Sequence, residues 1–288
     1  MLKRKIENQM KEWKRDPARK PLIIKGCRQC GKTYSAMKFA KKHYRHVIYL
    51  NFFENPGYCA IFENSLEIDQ VILMISALVP DTKFVAGKTV IILDEIQECP
   101  EARTALKFFR MDGRFDVIAT GSLLGVKGYG KEPKSIPVGS ETIINMYPLD
   151  FEEFLWASGI SDEVIAQIQN CIIKEIPIVQ PLHDRFRQLL LQYAVGGMPE
   201  VVWQFVQNKD FNEVLRLQRD IVYSYEEDMV KYANNKDKGR IRECFESIPR
   251  QLSKENKKFQ YSVIKKNAKA FEYADCLQWI EDAGIITR

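Results

Sequence analysis

The chain has 288 residues, which is long enough for one large domain or two smaller ones. Its hydrophobic content of 45% and charged content of 28% are typical of a protein that buries a core. No apolar run approaches the roughly 18 residues of a membrane span, and the charged segment Lys3–Arg15 excludes a signal peptide. We therefore expect a cytoplasmic protein whose seven scattered cysteines are free thiols.

The net charge of +5 is distributed unevenly along the chain. Residues 1–45 hold 15 Lys and Arg against three Asp and Glu, whereas the remainder is net negative. A basic N-terminal segment of this kind either faces nucleic acid or an acidic partner, or forms a solvated helix face. The sequence leaves both interpretations open.

The first predicted elements enclose a glycine-bounded loop. Apolar residues recur at helical spacing over residues 2–14, which predicts an amphipathic helix. The apolar segment Pro21–Lys25 predicts a short buried strand, and Tyr34–Lys42 has a helical pattern. Between them, Gly26–Thr33 (GCRQCGKT) matches the pattern G-x-x-x-x-G-K-[ST]. Strand, loop and helix in this order predict a loop that binds the phosphates of a nucleotide.

The positions of this phosphate-binding loop have separate physical roles. Its glycines allow backbone N–H groups to turn towards the phosphates, and the following helix adds the positive end of its dipole. We expect Lys32 to reach the β- and γ-phosphates and the Thr33 hydroxyl to help hold Mg²⁺. The residues expected to contact the nucleotide are Gly26, Cys27, Arg28, Gln29, Cys30, Gly31, Lys32, Thr33 and Tyr34.

Two of the cysteines, Cys27 and Cys30, lie inside this loop in a C-x-x-C arrangement. They either form a redox switch that blocks nucleotide binding when oxidised, or fill variable loop positions without a redox role. A zinc site is not expected, because the sequence offers no second ligand pair at suitable spacing.

Strands and helices alternate as far as residue 146. Further strands are predicted over residues 47–52, 89–94, 115–120 and 142–146. Helices are predicted over residues 66–79 and 100–111, and residues 125–141 predict a long loop. The alternation predicts a parallel α/β sheet that helices cover on both faces.

The strand over residues 89–94 leads into two carboxylates, Asp94 and Glu95. A strand-end aspartate is expected to hold Mg²⁺, and Glu95 is expected to orient and deprotonate the attacking water. At the end of the next strand, Ser122 is expected to hydrogen-bond the γ-phosphate or that water, and Thr120 is the weaker candidate for the same role. Gln97 is either a polar group that supports this site or only a residue at a helix start.

Four arginines are candidates for stabilising transition-state charge: Arg28 in the loop, and Arg103, Arg110 and Arg114 after the Asp-Glu pair. The sequence does not choose among them, and a neighbouring subunit is an alternative source. The Asn/Thr-Lys-x-Asp pattern of guanine recognition is not matched at a strand end, which favours ATP over GTP. The three histidines have no metal-binding spacing and are expected to be structural or surface residues.

The character of the sequence changes after Tyr147-Pro148. Residues 150–283 contain no clear strand and several helical patterns, of which residues 212–233 form the longest. A few short helices are predicted over residues 239–283, and residues 284–288 are a candidate for the start of a β element.

With these motifs in place, the chain resembles a family of prokaryotic AAA-superfamily P-loop ATPases, which combine an ATP-binding AAA domain with a C-terminal domain of unknown function. The resemblance covers nearly the whole chain. It is carried by IIKGCRQCGKTY (23–34), VIYLNF (47–52), IILDEIQECP (91–100), ATGSLLG (119–125), YPLDFEEFL (147–155), GGMPEVV (196–202) and WIEDAGII (279–286). The segments at 147–155 and 196–202 are more specific than the phosphate-binding loop, which many families share.

The resemblance implies a parallel P-loop sheet of the AAA type, in which one strand separates the Asp94 strand from the phosphate-loop strand. An all-helical lid and a winged-helix-like module are implied to follow. The implied catalytic residues are Lys32, Glu95 as base and Ser122 as sensor, with Thr33 and Asp94 on Mg²⁺. The implied divisions are the ATPase domain (1–149), the lid (150–235) and the winged-helix-like module (236–288).

Two features depart from the pattern of that family. Its members often continue into a region that resembles restriction-endonuclease folds, whereas this sequence ends at Arg288 in what resembles the first wing strand, so a truncated module is expected. A Gly-Arg pair common before the YPLDFEEFL segment is Gly139-Ser140 here, which weakens a role for an arginine from that position.

Two functions are consistent with these observations. The first is a Mg²⁺-dependent ATPase that acts as a nucleotide-driven switch coupled to DNA or to a protein partner. The alternative is a nucleic-acid-binding or assembly module in which ATP is mainly structural. The basic N-terminus and the winged-helix-like region are the expected DNA contacts, no membrane contact is expected, and the oligomeric state stays open.

Overall fold

A five-stranded parallel sheet lies at the centre of the N-terminal half of the chain. The computed structural model describes residues 2–122, 139–232, 237–255, 258–266 and 268–286, so most of the loop predicted over residues 125–141 lies outside the described residues. The strands are β1 (Leu22–Lys25), β2 (His46–Asn51), β3 (Thr89–Asp94), β4 (Asp116–Gly121) and β5 (Thr142–Asn145). Their order is β2-β3-β4-β1-β5, and all pairs are parallel. The α/β class and the predicted separation of β3 from β1 by one strand are confirmed.

Helices cover both faces of this sheet, as its apolar strands require. They are α1 (Ile6–Arg15), α2 (Lys32–His43), α3 (Ala60–Glu63), α4 (Ile68–Leu78) and α5 (Pro100–Asp112). Helices α1 and α2 bury apolar side chains against one face, and α3, α4 and α5 against the other. Each residue of β3 is buried, which explains why the sequence reads as a continuous apolar run there.

The strand order places three strand ends side by side. Strand β4 pairs with β1 on one side and with β3 on the other. Because parallel strands all point the same way, their carboxyl ends meet at one edge of the sheet. The phosphate-binding loop follows β1, Asp94 ends β3 with Glu95 directly after it, and Ser122 follows β4. The topology thus gathers the predicted site from three distant segments.

The second half of the chain is helical in its described residues, as predicted. Its first helices are α6 (Phe151–Ala157), α7 (Asp162–Ile173), α8 (Gln180–Gln192), α9 (Pro199–Asn208) and α10 (Phe211–Tyr232). Helix α6 begins with a capping box, in which the Asp150 and Glu153 side chains each bond the other's backbone N–H. Across the residues that the structure covers, no helix has the length and hydropathy needed to cross a bilayer.

Three helices close the chain: α11 (Lys238–Leu252), α12 (Tyr261–Ile264) and α13 (Ala270–Asp282). No strand follows within the described residues, because residues 284–286 are not extended into a sheet and residues 287–288 lie outside the described range. The helical part of the predicted module is therefore observed, whereas the predicted β element is not observed at residues 284–286.

The apolar core divides into separate clusters. Two lie on the faces of the sheet, one joins α6 to α10, and one joins the end of α10 to α11 and α13. Tyr225 on α10 borders one sheet cluster and both C-terminal clusters. This side chain therefore lies where the sheet, the helices from α6 to α10 and the final helices meet.

Candidate nucleotide-binding site

The two glycines of the phosphate-binding loop are each required by the backbone, one by close packing and one by its conformation. A Cβ at Gly26 would lie 2.1 Å from the Met146 carbonyl oxygen, which leaves no room for any side chain. Gly31 has φ 95° at the residue before α2, a conformation that L residues rarely adopt. Both glycines of the sequence pattern are therefore required by sterics in this fold.

Lys32 begins α2 and lies inside the loop. Its side chain is only 5% exposed, and its Nζ donates to the carbonyl oxygens of Gly26 (3.1 Å) and Cys27 (2.7 Å). The ammonium group therefore lies within the curve of the loop, where a lysine that binds phosphate must be placed. Of the other predicted nucleotide contacts, Gln29 is exposed with φ 61°, and Tyr34 is 52% exposed on α2.

The Asp94 carboxylate accepts hydrogen bonds from four side chains. Thr33 Oγ1 donates to its Oδ1 at 2.8 Å, and Thr120 donates to the same oxygen. Tyr49 donates to Oδ2 at 2.7 Å, and Asn51 Nδ2 lies 3.3 Å from it. Asp94 is 2% exposed, so these donors offset the cost of burying it. The predicted Mg²⁺ pair, Thr33 and Asp94, is thus brought into direct contact.

Burial also raises the pKa of the Tyr49 hydroxyl, as does its hydrogen bond to Asp94, so Tyr49 remains a donor at neutral pH. Sequence reasoning missed Tyr49 and Asn51. The pairing of the strands could have identified these two residues. Asn51 is the register partner of Asp94 on the neighbouring strand, and Tyr49 lies two residues earlier on the same face.

Glu95 lies immediately beyond β3 and beside Ser122. Its backbone has φ 52°, a left-handed conformation that is uncommon for residues other than glycine. Gln97 Nε2 donates to Glu95 Oε2 at 2.5 Å, and Ser122 Oγ donates to the same oxygen at 3.3 Å. Of the two interpretations of Gln97, the polar group beside the site is therefore the one that the geometry favours. Thr120 instead contacts Asp94.

The donor set fits Mg²⁺ better than a transition metal. Thr33 and Asp94 offer one hydroxyl and one carboxylate, and Mg²⁺ in nucleotide sites takes few protein oxygens together with phosphate oxygens. In the described part of the chain, no group of three or more His, Cys, Asp and Glu is arranged to hold a metal ion. His43, His46 and His183 are among the residues searched, and none belongs to such a group.

An apolar cavity of about 450 Å³ opens beside the first turn of α2. Its walls come from the N-terminal segment, α2 and the start of α9, and include Leu2, Gly31, Tyr34, Pro199 and Trp203. Its size lies in the range of small-molecule sites. Sequence reasoning did not place this cavity, although Pro199 belongs to the GGMPEVV segment that had marked the family resemblance.

Arg4 connects the loop to the start of α6. It is 7% exposed, its Nη1 donates to the Cys30 carbonyl at 2.9 Å, and its Nη2 donates to the Tyr147 carbonyl at 2.6 Å. Its Nε lies 3.2 Å from Glu153 Oε1 at the start of α6. One basic residue of the N-terminal segment is thus part of the site's framework rather than of a solvated face.

The C-terminal helices also reach the loop. The Tyr225 hydroxyl donates to the Arg28 carbonyl at 2.9 Å, and the Arg28 guanidinium pairs with Asp228, both contacts coming from α10. Gly284, just after α13, approaches so closely that a Cβ there would lie 3.1 Å from the Cys27 nitrogen. The loop is therefore in contact with elements more than 190 residues away in sequence.

The four candidate arginines all have partners within the chain. Arg28 pairs with Asp228. The others lie on or beside α5: Arg103 pairs with the buried Glu141 at 3.1 Å, Arg110 donates to the Gly139 carbonyl at 2.7 Å, and Arg114 pairs with Asp69 at 2.6 Å. Arg28 is the one of these four that belongs to the phosphate-binding loop.

The comparison with known families agrees with this geometry. A family described as an AAA domain matches residues 18–155, and a domain of unknown function matches residues 186–288. No curated protein matches the chain. Among solved structures, a Walker-type ATPase of Pyrococcus abyssi is similar at 13% identity, with a TM-score of 0.58, over 98% of this chain and 90% of that one.

Two further solved structures have weaker similarity. The ORC1 protein of Aeropyrum pernix in complex with DNA has 13% identity and a TM-score of 0.38, over 100% of this chain and 86% of that one. The replication initiator DnaA bound to AMPPCP and single-stranded DNA has 12% identity and a TM-score of 0.40, over 96% and 84%. The likeness to the Pyrococcus ATPase supports the fold of this chain. The similarity to the other two structures is too weak to support any conclusion. Residues 18–155 of the chain thus belong to the AAA domain family, and residues 186–288 match a domain of unknown function.

Proposed function

We propose that this protein binds ATP with Mg²⁺ and hydrolyses it, and that the cycle acts as a switch on its C-terminal helices. The proposal rests on the hydrogen bonds between side chains at the ends of adjacent strands. Thr33 of the loop bonds Asp94 at 2.8 Å, while the next residue, Glu95, accepts a hydrogen bond from Ser122. A metal-binding pair beside an oriented carboxylate is the arrangement that hydrolysis of a phosphoanhydride requires.

Each residue has a distinct role in this proposal. The backbone from Gly26 to Tyr34 and the Lys32 ammonium bind the phosphates, and Thr33 with Asp94 would hold Mg²⁺, which neutralises phosphate charge when bound. Glu95 accepts the proton of the attacking water as Ser122 orients its carboxylate. The Tyr34, Pro199 and Trp203 side chains in the apolar cavity bind the adenine ring by stacking and apolar contact.

The switch is supported by the contacts of the C-terminal helices with the loop. Tyr225, Asp228 and Gly284 all lie against Cys27 or Arg28. Any shift of the loop on binding ATP therefore changes the contacts of α10 and of the residue after α13. The separate apolar clusters support a division into an ATPase domain (1–149), a lid (150–235) and a terminal module (236–288) that move against one another.

A DNA partner is the finer part of the proposal. Helices α11, α12 and α13 supply the helical part of a winged-helix-like module. A second observation is a lysine cluster on α1 and α2: Lys11, Lys14 and Lys42 all lower the pKa of His43, after burial, which is the larger cause. A group of cations around one side chain is the kind of surface that attracts the phosphates of nucleic acid. The alternative, in which ATP is structural and DNA or self-assembly is the function, rests on the same surface.

ATP turnover by the purified chain, measured with Mg²⁺ and with EDTA, tests the proposal. Glu95→Gln is expected to lower kcat by at least about 100-fold while retaining ATP binding, because it removes the base and keeps the shape of the side chain. Glu101→Gln is a matched control, since Glu101 lies in the first turn of α5 and contributes no contact to the site. Its turnover should equal that of the unmodified chain.

The same assay with duplex DNA separates the two candidate functions. Turnover that depends on Glu95 and rises with DNA supports the coupled switch, and turnover without a DNA response points to a protein partner. Tight ATP binding with no Mg²⁺-dependent turnover would contradict hydrolysis and favour the structural role of ATP. A mass measurement with and without ATP then tests whether assembly is what the nucleotide controls.

A further inference from the structure

The phosphate-binding loop contains two neighbouring cysteine side chains. Cys27 and Cys30 flank a turn formed by Arg28 and Gln29, and both are buried, with exposures of 4% and 0%. The two thiols are close enough to shift each other's pKa, and the Cys30 Sγ donates a hydrogen bond to the Met146 carbonyl oxygen at 3.6 Å. The C-x-x-C arrangement noted in the sequence is therefore a paired dithiol in the fold.

The backbone geometry suits a disulfide between these two residues. The first and fourth residues of a tight turn have Cα atoms within about 7 Å. Disulfides form over Cα separations of about 4.4 to 6.8 Å. Gln29, with φ 61°, supplies the left-handed residue that such a turn commonly needs. Only a small movement of the two side chains is then required to join the sulfurs.

The two thiols are chemically unequal. The neighbouring Cys30 thiol lowers the pKa of Cys27 to about 6 against the opposing effect of burial, helped by Tyr225 and Lys32. The neighbouring Cys27 thiol and burial raise the pKa of Cys30. The other charged groups facing the pair are Arg4, on the Cys30 side, and Asp228, beyond Tyr225. Cys27 is thus the more acidic thiol of the pair, which suits it to attack an oxidant first, and Cys30 is the neighbouring thiol that can resolve it.

A second pair of cysteines in the same chain provides a comparison. Cys59 and Cys99 are also close enough to shift each other's pKa, but burial is the larger effect and raises the pKa of both. Burial likewise raises the pKa of Cys244 to about 12 and that of Cys276 to about 11. The closeness of two cysteines therefore does not by itself lower a thiol pKa. Cys27 differs because Lys32 and the Tyr225 hydroxyl also lie beside it.

We propose that Cys27 and Cys30 form a redox-active dithiol, and that its oxidation by a peroxide to a disulfide lowers the affinity of the site for nucleotide. Cys27 attacks hydrogen peroxide, breaking its O–O bond and forming a sulfenic acid and one water after a proton is taken up. Cys30 then displaces the sulfenic oxygen as a second water, and the S–S bond forms. The two sulfurs lose two electrons in all, which reduce one peroxide to two waters.

The link to nucleotide binding rests on the proposed function and follows from the position of Lys32. Its Nζ bonds the Cys27 carbonyl and its charge favours the Cys27 thiolate. Bound phosphates compete for that charge, so nucleotide raises the pKa of Cys27 and slows its oxidation. A disulfide in turn fixes the turn at Arg28 and Gln29, whose backbone must adapt to the phosphates. Because the coupling is reciprocal, each state disfavours the other.

The test is to treat the full chain with hydrogen peroxide and to measure two quantities. Peptide mapping should show a 27–30 disulfide before any 59–99 disulfide, and ATP added beforehand should slow its appearance. The ATP dissociation constant should rise by about tenfold or more in the oxidised protein and return after treatment with dithiothreitol. Each variant is compared with its own reduced sample, because Cys27 and Cys30 lie in the binding loop.

Matched variants decide the outcome. Cys30→Ser should lose the peroxide effect on ATP affinity, whereas Cys59→Ser should keep it. A 59–99 disulfide that forms first, or a 27–30 disulfide that leaves ATP affinity unchanged, would overturn the proposal. If the reduced chain does not bind ATP, the proposed function fails and so does the link to nucleotide, whereas the peptide map still decides whether the dithiol is redox-active.

Discussion

Asp94 shows how individual residues prepare the site. Its carboxylate is buried, and burial of such a group without donors costs several kcal/mol. Four side chains on three elements supply those donors, and two of them, Tyr49 and Asn51, come from β2 rather than from either motif. The strand-end aspartate is therefore fixed in one orientation before any ligand arrives, which is how a metal ligand is preorganised.

Replacing Tyr49 by Phe should separate this preorganisation from general stability. Tyr49→Phe removes the 2.7 Å bond to Asp94 Oδ2, and Tyr44→Phe removes an equal 2.7 Å bond to Asp116, which lies at the amino end of β4, away from the carboxyl ends of the strands. Each is expected to lower the free energy of unfolding by about 1.5–3 kcal/mol, measured by urea denaturation. Only Tyr49→Phe should raise the Mg²⁺ concentration needed for half-maximal turnover. Equal Mg²⁺ responses in both variants would show that Tyr49 is merely structural.

Gln97 is expected to position the catalytic carboxylate, because its amide lies 2.5 Å from Glu95 Oε2. Gln97→Ala should lower kcat by about tenfold with little change in KM, since it releases the base and leaves nucleotide contacts in place. Gln97→Glu should move the acid limb of the pH–rate profile to higher pH, because a second carboxylate raises the pKa of the first. An unchanged profile with normal kcat would assign Gln97 to the helix start alone.

At the scale of elements, α10 connects the loop to the C-terminal helices. Asp228→Asn removes the charge that holds Arg28 and is expected to cost about 1–2 kcal/mol, because the pair is only partly buried. Hydrogen exchange over α11 and α13 should become faster. Asp220→Asn on the same helix is the control, as Asp220 is 66% exposed and pairs only within α10. Equal protection in the two variants would argue against α10 as the connection.

The predictability of each element from the sequence follows from the range of its interactions. The strands, the loop and α10 were predicted to within a few residues, because apolar periodicity and the glycine pattern are local signals. Arg4 and Tyr225 were missed, because their partners lie 143 and 197 residues away. The cavity shares this property, since its walls come from three separate segments. Local sequence patterns thus predict the residues that bind phosphate, whereas only the fold shows which residues surround them.

For the whole molecule, the basic N-terminal segment is less available than its charge suggests. Lys3 pairs with Asp162, Lys5 with Asp150 and Glu152, and Arg4 with Glu153, so this end of the chain binds the acidic start of the lid. Arg19 pairs with Asp116, and Lys38 with Glu7. Much of the local positive charge therefore serves intramolecular packing, and any nucleic-acid surface must use the remaining lysines.

Those lysines allow the DNA proposal to be tested by the salt dependence of binding. Lys42 is exposed on α2 and belongs to the cluster around His43, whereas Lys5 already bonds Asp150 at 2.6 Å and Glu152 at 2.8 Å. If the cluster contacts DNA phosphates, Lys42→Gln should reduce the slope of log K against log salt by about 1, measured by fluorescence anisotropy on duplex DNA. Lys5→Gln should leave that slope unchanged, because no counterion is displaced at a charge paired within the chain. The reverse pattern would place the interface on the lid side of the N-terminus, and a slope near zero for the unmodified chain would exclude a phosphate-contacting role and leave a protein as the partner of the switch.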